Sequence, residues 1–236
     1  MKKMTVILYD GGFKRTAPAL PSLSNQTIKD DCQFIWLELY DKVFLEVEKY
    51  DFIKIEKLNK NPNDTKEISY CYNKGLDMAE GKYFVLCDPC LWLPENCLEF
   101  IYNFHEENEN HFTFNYESRG KDENIARVLT KSYVSDAIKK YKTDIFKIKK
   151  GNMGCMSTTL TENYRGVGGF DIIGKNVTNH LKLCMIRMKN KYELIDIGLD
   201  KMVYHPFHTR GRKPEKELMK IIVNKYKKEK TTRAKT

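Results

Sequence analysis

The sequence predicts an α/β fold on a mostly parallel sheet, and two observations carry that prediction. Short apolar runs alternate with helix-length amphipathic segments along residues 1–110, and strands separated by helices pair in parallel. Within that alternation, residues 68–94 spell a helix, a buried strand and a carboxylate at the strand's tip. Open α/β sheets bind ligands at that edge.

Each element follows in order. Residues 5–9, Thr-Val-Ile-Leu-Tyr, read as a buried strand that runs into Asp10-Gly11-Gly12, a turn with two glycines. Residues 17–26 fit a helix with Pro18 near its start and Ala19, Leu20 and Leu23 toward the sheet. Residues 34–39 and 52–58 read as the second and third strands, and 59–65 as a polar loop. Ile68, Cys71, Tyr72, Leu76 and Ala79 recur at helical steps, with Gly81 as the stop. Residues 83–86 are the fourth strand; it ends on Asp88, where Pro89 bars further ladder bonds. Pro94 opens a helix to residue 107 with Leu98, Ile101 and Phe104 on one face.

The second half is less regular. Strands are predicted at 111–116, 126–129, 154–160, 192–197 and 201–204, and helices at 132–142 and 176–190. Residues 215–228 form a last amphipathic helix, with Leu218, Ile221, Ile222 and Tyr226 on one stripe among lysines. No internal repeat or low-complexity linker divides the chain. The organisation read here is one domain, 1–213, followed by a basic helix and tail, 214–236.

Composition narrows the class. A chain of 236 residues with 41% hydrophobic and 12% aromatic content can bury a core without staples and is not a disordered protein. No apolar run approaches the ~18 residues of a membrane span, and the N-terminal apolar run, ending at Tyr9, is too brief for a signal peptide. A cytoplasmic protein is the expectation, with contact to the inner face of the membrane as an addition. Seven cysteines, an odd number at mostly apolar positions, fit reduced buried thiols. Cys87-x-x-Cys90 leaves a redox pair or, with Cys97 and His105, a zinc site as minor readings. The net charge of +9 is concentrated after residue 210, a tail that suits an anionic surface, an acidic partner or simple solvation.

Several blocks also have a family spelling. Leu20-Pro-Ser22-Leu23-Ser-Asn-Gln26, Asn73-x-Gly75-xxx-Ala79-x-Gly81 before a strand and an Asp88 turn, and Gly168-Gly169-Phe170-Asp171 occur in this order. Together they resemble family 2 glycosyltransferases, which have the GT-A fold: a Rossmann-like, mostly parallel sheet with a mixed acceptor-side half. The likeness covers roughly residues 4–100 and 151–208. It departs at the family's Asp-x-Asp turn, which here reads Asp88-Pro89-Cys90.

The resemblance implies a set of roles. Asp10, Arg15, Glu38, Asn73 and Asp88 would bind the nucleotide-sugar donor, a UDP-sugar in preference. Asp88 with His205 and His208 would hold Mn²⁺ or Mg²⁺; Mn²⁺ accepts imidazole and carboxylate together, whereas Cys90 is too soft a ligand for either ion. The family's acidic base pair is missing after the Gly-Gly-Phe-Asp block, which leaves His180 as the general base and Asp171 as the fallback. For Asp10 and Glu38 the competing reading is a helix cap or a solvated turn. For the three histidines it is ordinary packing.

The function implied is glycosyl transfer, with inversion, to a glycan, lipid-linked or protein acceptor. The 215–228 helix would add contact with a membrane or a partner protein. Two rivals remain open at this point. One is a catalytically inactive sugar-nucleotide-binding or scaffold protein, favoured by Cys90 and the missing acids. The other is a nucleic-acid-binding protein; it fits less well because aromatic residues are not interleaved with the basic tail beyond Tyr226.

Overall fold

The computed structural model describes residues 1–10, 17–41, 45–61, 67–115, 117–120, 146–149, 156–172, 180–197 and 203–205. Four strands open the fold: β1 Lys2–Asp10, β2 Cys32–Glu38, β3 Ile53–Lys57 and β4 Gly81–Cys87. Between and after them stand helices α1 Ala19–Ser24, α2 Ser69–Asp77 and α3 Cys97–Glu107. The later strands are β5 His111–Asn115, β6 Glu117–Gly120, β7 Phe146–Lys149, β8 Met156–Leu160, β9 Glu193–Ile197 and β10 Val203–His205. Helices α4 Thr161–Gly166 and α5 His180–Lys191 lie among these.

The main sheet has 7 strands in the order β3-β2-β1-β4-β8-β5-β9. Strands β1 to β4 pair in parallel, as does β5 with β9, and only β8 runs against its neighbours β4 and β5. The mostly parallel α/β sheet predicted from the sequence is therefore present. A second sheet of 3 strands, β10-β6-β7, joins segments of the later half. Strands β6 and β7 are absent from the sequence reading; each is 4 residues long, too short for periodicity to reveal.

Alternation sorts the side chains of the sheet. Val6, Leu8, Phe34, Trp36, Tyr83 and Val85 face a core shared with α1 and α3, while Ile7, Ile35, Leu37, Phe84 and Leu86 face one shared with α2, α4 and α5. Two glycines permit the closest approaches. A Cβ on Gly75 of α2 would lie 2.8 Å from Ile7 Cδ1 and 2.9 Å from Leu37 Cδ1, so the helix can sit low on the sheet only without one. A Cβ on Gly81 would lie 2.3 Å from the Met4 carbonyl carbon. Gly81 thus does not stop α2, which ends at Asp77; it opens β4 against β1.

Other boundaries shift by a few residues. Helix α3 begins at Cys97, three residues after Pro94, and the segment leading into it is bonded to α1 and to the turn that follows α1. Ser22 Oγ accepts the Leu93 N–H at 3.2 Å, and Gln26 donates to the Pro94 carbonyl at 2.7 Å and accepts the Leu98 N–H at 3.0 Å. The predicted strand at 126–129, the helix at 132–142 and the tail 214–236 lie outside the described residues, as do Arg15 and His208. Among the described residues no helix is long and apolar enough to cross a membrane.

Candidate functional site

The carboxyl ends of β1, β2 and β4 share one edge of the sheet, and three predicted acids stand there. Asp10 is the last residue of β1 and Glu38 the last of β2, and the parallel register sets them side by side. Asp88 follows β4 directly. Strand order reverses between β1 and β4, since β2 and β3 lie to one side and β4 to the other. That is the switch point where open α/β sheets form a ligand crevice. Asp10 and Asp88 flank it.

Their environments differ. Asp10 is 3% exposed and Glu38 0%, which removes the solvated-turn reading for both. Trp36, two residues back on the same face of β2, donates its indole N–H to Glu38 Oε1 at 2.6 Å. The cluster extends to the other face through Cys71, whose thiol points at the Leu37 carbonyl at 3.8 Å. Burial pushes that thiol up, and the charges of Glu38 and Asp10 push it further. Burial likewise raises the Tyr9 phenol well above its usual value, and Asp88 adds to the effect. Asp88 is half-buried and shapes its own turn: its Oδ1 accepts the Cys90 N–H at 2.9 Å and its carbonyl the Leu91 N–H at 3.0 Å. Pro89, inside this turn, accepts the Ala19 N–H at 3.2 Å, tying the start of α1 to it.

Asn73 lies on α2. Its amide faces the later half of the chain, donating to the Phe170 carbonyl at 2.8 Å and accepting the Phe170 N–H at 2.8 Å. The Gly-Gly-Phe-Asp block it grips terminates α4. Gly168 and Gly169 have φ of 82° and 67°, the left-handed values that end a helix, and the Gly169 N–H returns to the Tyr164 carbonyl at 2.9 Å. Phe170 is buried between Tyr72 and Tyr164, with ring centroids 5.0 and 5.2 Å away. Tyr72 in turn meets Tyr9 edge-on at 4.8 Å. One aromatic layer therefore separates this loop from the end of β1.

Asp171 forms an ion pair with Arg187 of α5, and the same guanidinium donates to the Gly169 carbonyl at 2.5 Å. The sequence reading gave no role to Arg187; its position one helix after the Gly-Gly-Phe-Asp block was the available signal. His180 opens α5 and His205 closes β10, but both side chains, like Arg15 and His208, lie outside what is described.

Of the three predicted metal ligands, Asp88 alone has a described side chain, and its Oδ1 is turned to Cys90. Among the described residues no three His, Cys, Asp or Glu side chains gather as a metal-ligand group. The predicted Mn²⁺ or Mg²⁺ site therefore rests on His205 and His208, whose side chains lie outside the described residues. The zinc reading finds no cluster among the described residues either: Cys87, Cys90 and Cys97 are buried and in no disulfide, and His105 Nε2 bonds Thr113 Oγ1 at 2.9 Å.

No protein-family model matches the chain, and no curated protein matches it. Among solved structures it is similar to S. aureus TarS, with a TM-score of 0.62 over 87% of this chain. TarS is a family 2 glycosyltransferase. The fold is GT-A-like. Sequence identity is 15%, so the likeness is one of fold, and this chain spans 37% of the length of TarS.

Proposed function

We propose that the chain transfers a sugar from a nucleoside diphosphate donor, a UDP-sugar in preference, to a glycan, lipid-linked or protein acceptor, with inversion. The observation that carries this reading is the gathering of Asp10, Glu38 and Asp88 at the switch point of a GT-A-like sheet. Buried carboxylates are costly where nothing polar answers them. At a strand edge they can instead position ribose and base by accepting hydrogen bonds. The diphosphate needs the opposite charge, and Arg15, in the segment after β1, is the cation assigned to it.

In an inverting transfer an acceptor hydroxyl loses its proton to a base as its oxygen attacks the anomeric carbon. The bond from that carbon to the diphosphate oxygen breaks, and the diphosphate leaves with the electron pair. Asp171 is held by Arg187, so the base role goes to His180 at the opening of α5.

A second reading has its own support. Cys90, where the family has its second acid, is 6% exposed, and Asp88 Oδ1 is engaged within the turn. A protein that binds sugar nucleotides without turning them over fits these facts. Titration with UDP, followed by release of UDP from UDP-glucose, separates the two. Binding with turnover supports transfer, and binding without it supports the second reading.

Asp88→Ala tests the site itself. The variant is expected to lose UDP affinity at least about tenfold. The fold should survive, since the turn loses one hydrogen bond worth about 1 kcal/mol. Undiminished UDP binding in a folded Asp88→Ala protein rejects the edge as the donor site.

A further inference from the structure

The Gly-Gly-Phe-Asp loop is gripped from two sides, by residues that lie far apart in the sequence. From α2, the Asn73 amide satisfies both backbone groups of Phe170. From α5, Arg187 satisfies the Asp171 carboxylate and the Gly169 carbonyl. Neither grip is a loose surface contact: both partners of the Arg187–Asp171 pair keep only 21% of their side-chain exposure. Directly beyond the grips Ile172 is 50% exposed, a large apolar side chain presented to solvent.

We propose that Asn73 and Arg187 are positioning residues that pre-form the acceptor side of the site by fixing residues 168–171. This rests on the glycosyltransferase reading for its purpose, but not for its geometry. Helix α2 packs on β1 and β2, whose tips carry Asp10 and Glu38, so a loop fastened to Asn73 is fastened to the sugar-donor half. Helix α5 opens with His180, so a loop fastened to Arg187 is fastened to the element that carries the assigned base. The loop is thus the piece through which donor and acceptor sides keep a fixed separation. Pre-organisation of this kind matters because a displacement of about 1 Å at a reacting centre can cost about a hundredfold in rate. It also explains one of the two left-handed glycines, Gly169. A Cβ on Gly169 would lie 2.8 Å from Asn73 Oδ1, so the grip and the glycine require one another.

The test compares wild type with Asn73→Ala, Arg187→Gln and Arg187→Lys. Amide hydrogen exchange at residues 168–172 is read against exchange in β1 and β4, which serves as the control for folding. Both disruptive variants are expected to speed exchange in the loop about tenfold, leaving β1 and β4 unchanged. Arg187→Lys should recover part of the protection, because an ammonium can still meet Asp171 but lacks the fork that also reaches Gly169. With UDP-glucose as donor and methyl β-glucoside as probe acceptor, acceptor KM should rise about tenfold in Arg187→Gln, with donor KM within about twofold.

Unchanged loop exchange in both disruptive variants overturns the proposal. So does a rise in donor KM equal to that in acceptor KM. Failure of wild type to bind UDP overturns the glycosyltransferase reading instead. The exchange measurement needs no turnover and still decides whether the two side chains hold the loop.

Discussion

The strands on the two sides of β4 are assembled by different rules. Toward β3, every neighbouring pair of strands is parallel, and the buried faces are almost wholly apolar: β1 presents Val6, Ile7 and Leu8, and β2 presents Phe34, Ile35, Trp36 and Leu37. Toward β9, an antiparallel β8 is inserted between β4 and β5, and its centre is Ser157, Thr158 and Thr159, all 0% exposed. Neighbours answer its Ser157 and Thr159 side chains and the Thr158 carbonyl, whereas the Thr158 hydroxyl has no hydrogen-bond partner among the described residues. Tyr164 meets Ser157 at 3.1 Å, the Thr158 carbonyl accepts from Thr113 at 3.3 Å, and Thr159 donates to the His111 carbonyl at 2.9 Å. One side is specified by hydrophobic periodicity, the other by hydrogen bonds between elements remote in sequence.

The comparison breaks most sharply at Gly81, where β4 meets β1. Its missing Cβ stands 2.3 Å and 2.4 Å from backbone atoms of Met4 and Thr5, which cannot rotate away as a side-chain end could. Gly81→Ala is therefore expected to lower stability by more than about 3 kcal/mol, or to prevent folding. Urea unfolding checks it. A loss below about 1 kcal/mol would mean that β1 and β4 can separate, and that the regular side is not the rigid one.

This difference is also what made one side legible. Strands β1 to β4 and helices α1 to α3 follow from local patterns, and the deviations are small. The insertion of β8 is a matter of pairing, which no local pattern records; β6 and β7 are too short to register. The site divides similarly. Asp10, Glu38 and Asp88 were readable because strand tips are readable. Asn73 was recognised in its motif, but its bond to Phe170 was not legible, since that partner lies 97 residues away. Ser22 and Gln26 had only a spelling until their bonds to the 93–98 segment gave them a reason.

His105 joins the two sides and offers a pH test. It stands on α3, its Nε2 reaches Thr113 on β5, and burial, opposed by a backbone bond at Asn108 and aided by the His111 charge, pushes it down to about 4. An unfolded imidazole has its ordinary value of about 6.5 and binds a proton first as pH falls. Acid therefore favours the unfolded chain: this contribution is intact above about pH 6.5 and is lost progressively toward pH 4. The lowering from 6.5 to about 4 corresponds to about 3 kcal/mol. Unfolding measured at pH 7 and pH 4.5 should show a loss of about 2–3 kcal/mol in wild type and a flatter profile in His105→Gln. Equal slopes would show that the α3–β5 junction does not keep this imidazole neutral.

The smallest effect is expected where the later half bends through glycine with room to spare. Gly168 has φ of 82°, but a Cβ there would meet nothing within 4 Å. Gly168→Ala then carries only the backbone strain of a left-handed alanine, about 1 kcal/mol, against the packing clash foreseen for Gly81→Ala. The two variants make the same chemical change, one methyl group on a glycine, and differ only in what surrounds it. If urea unfolding finds Gly168→Ala as damaging as Gly81→Ala, the helix stop before Phe170 tolerates no adjustment. The loop would then be as fixed as the β1–β4 pair, and the grips of Asn73 and Arg187 would stand on a backbone already rigid without them. A loss near 1 kcal/mol leaves those two side chains as what determines where the loop sits.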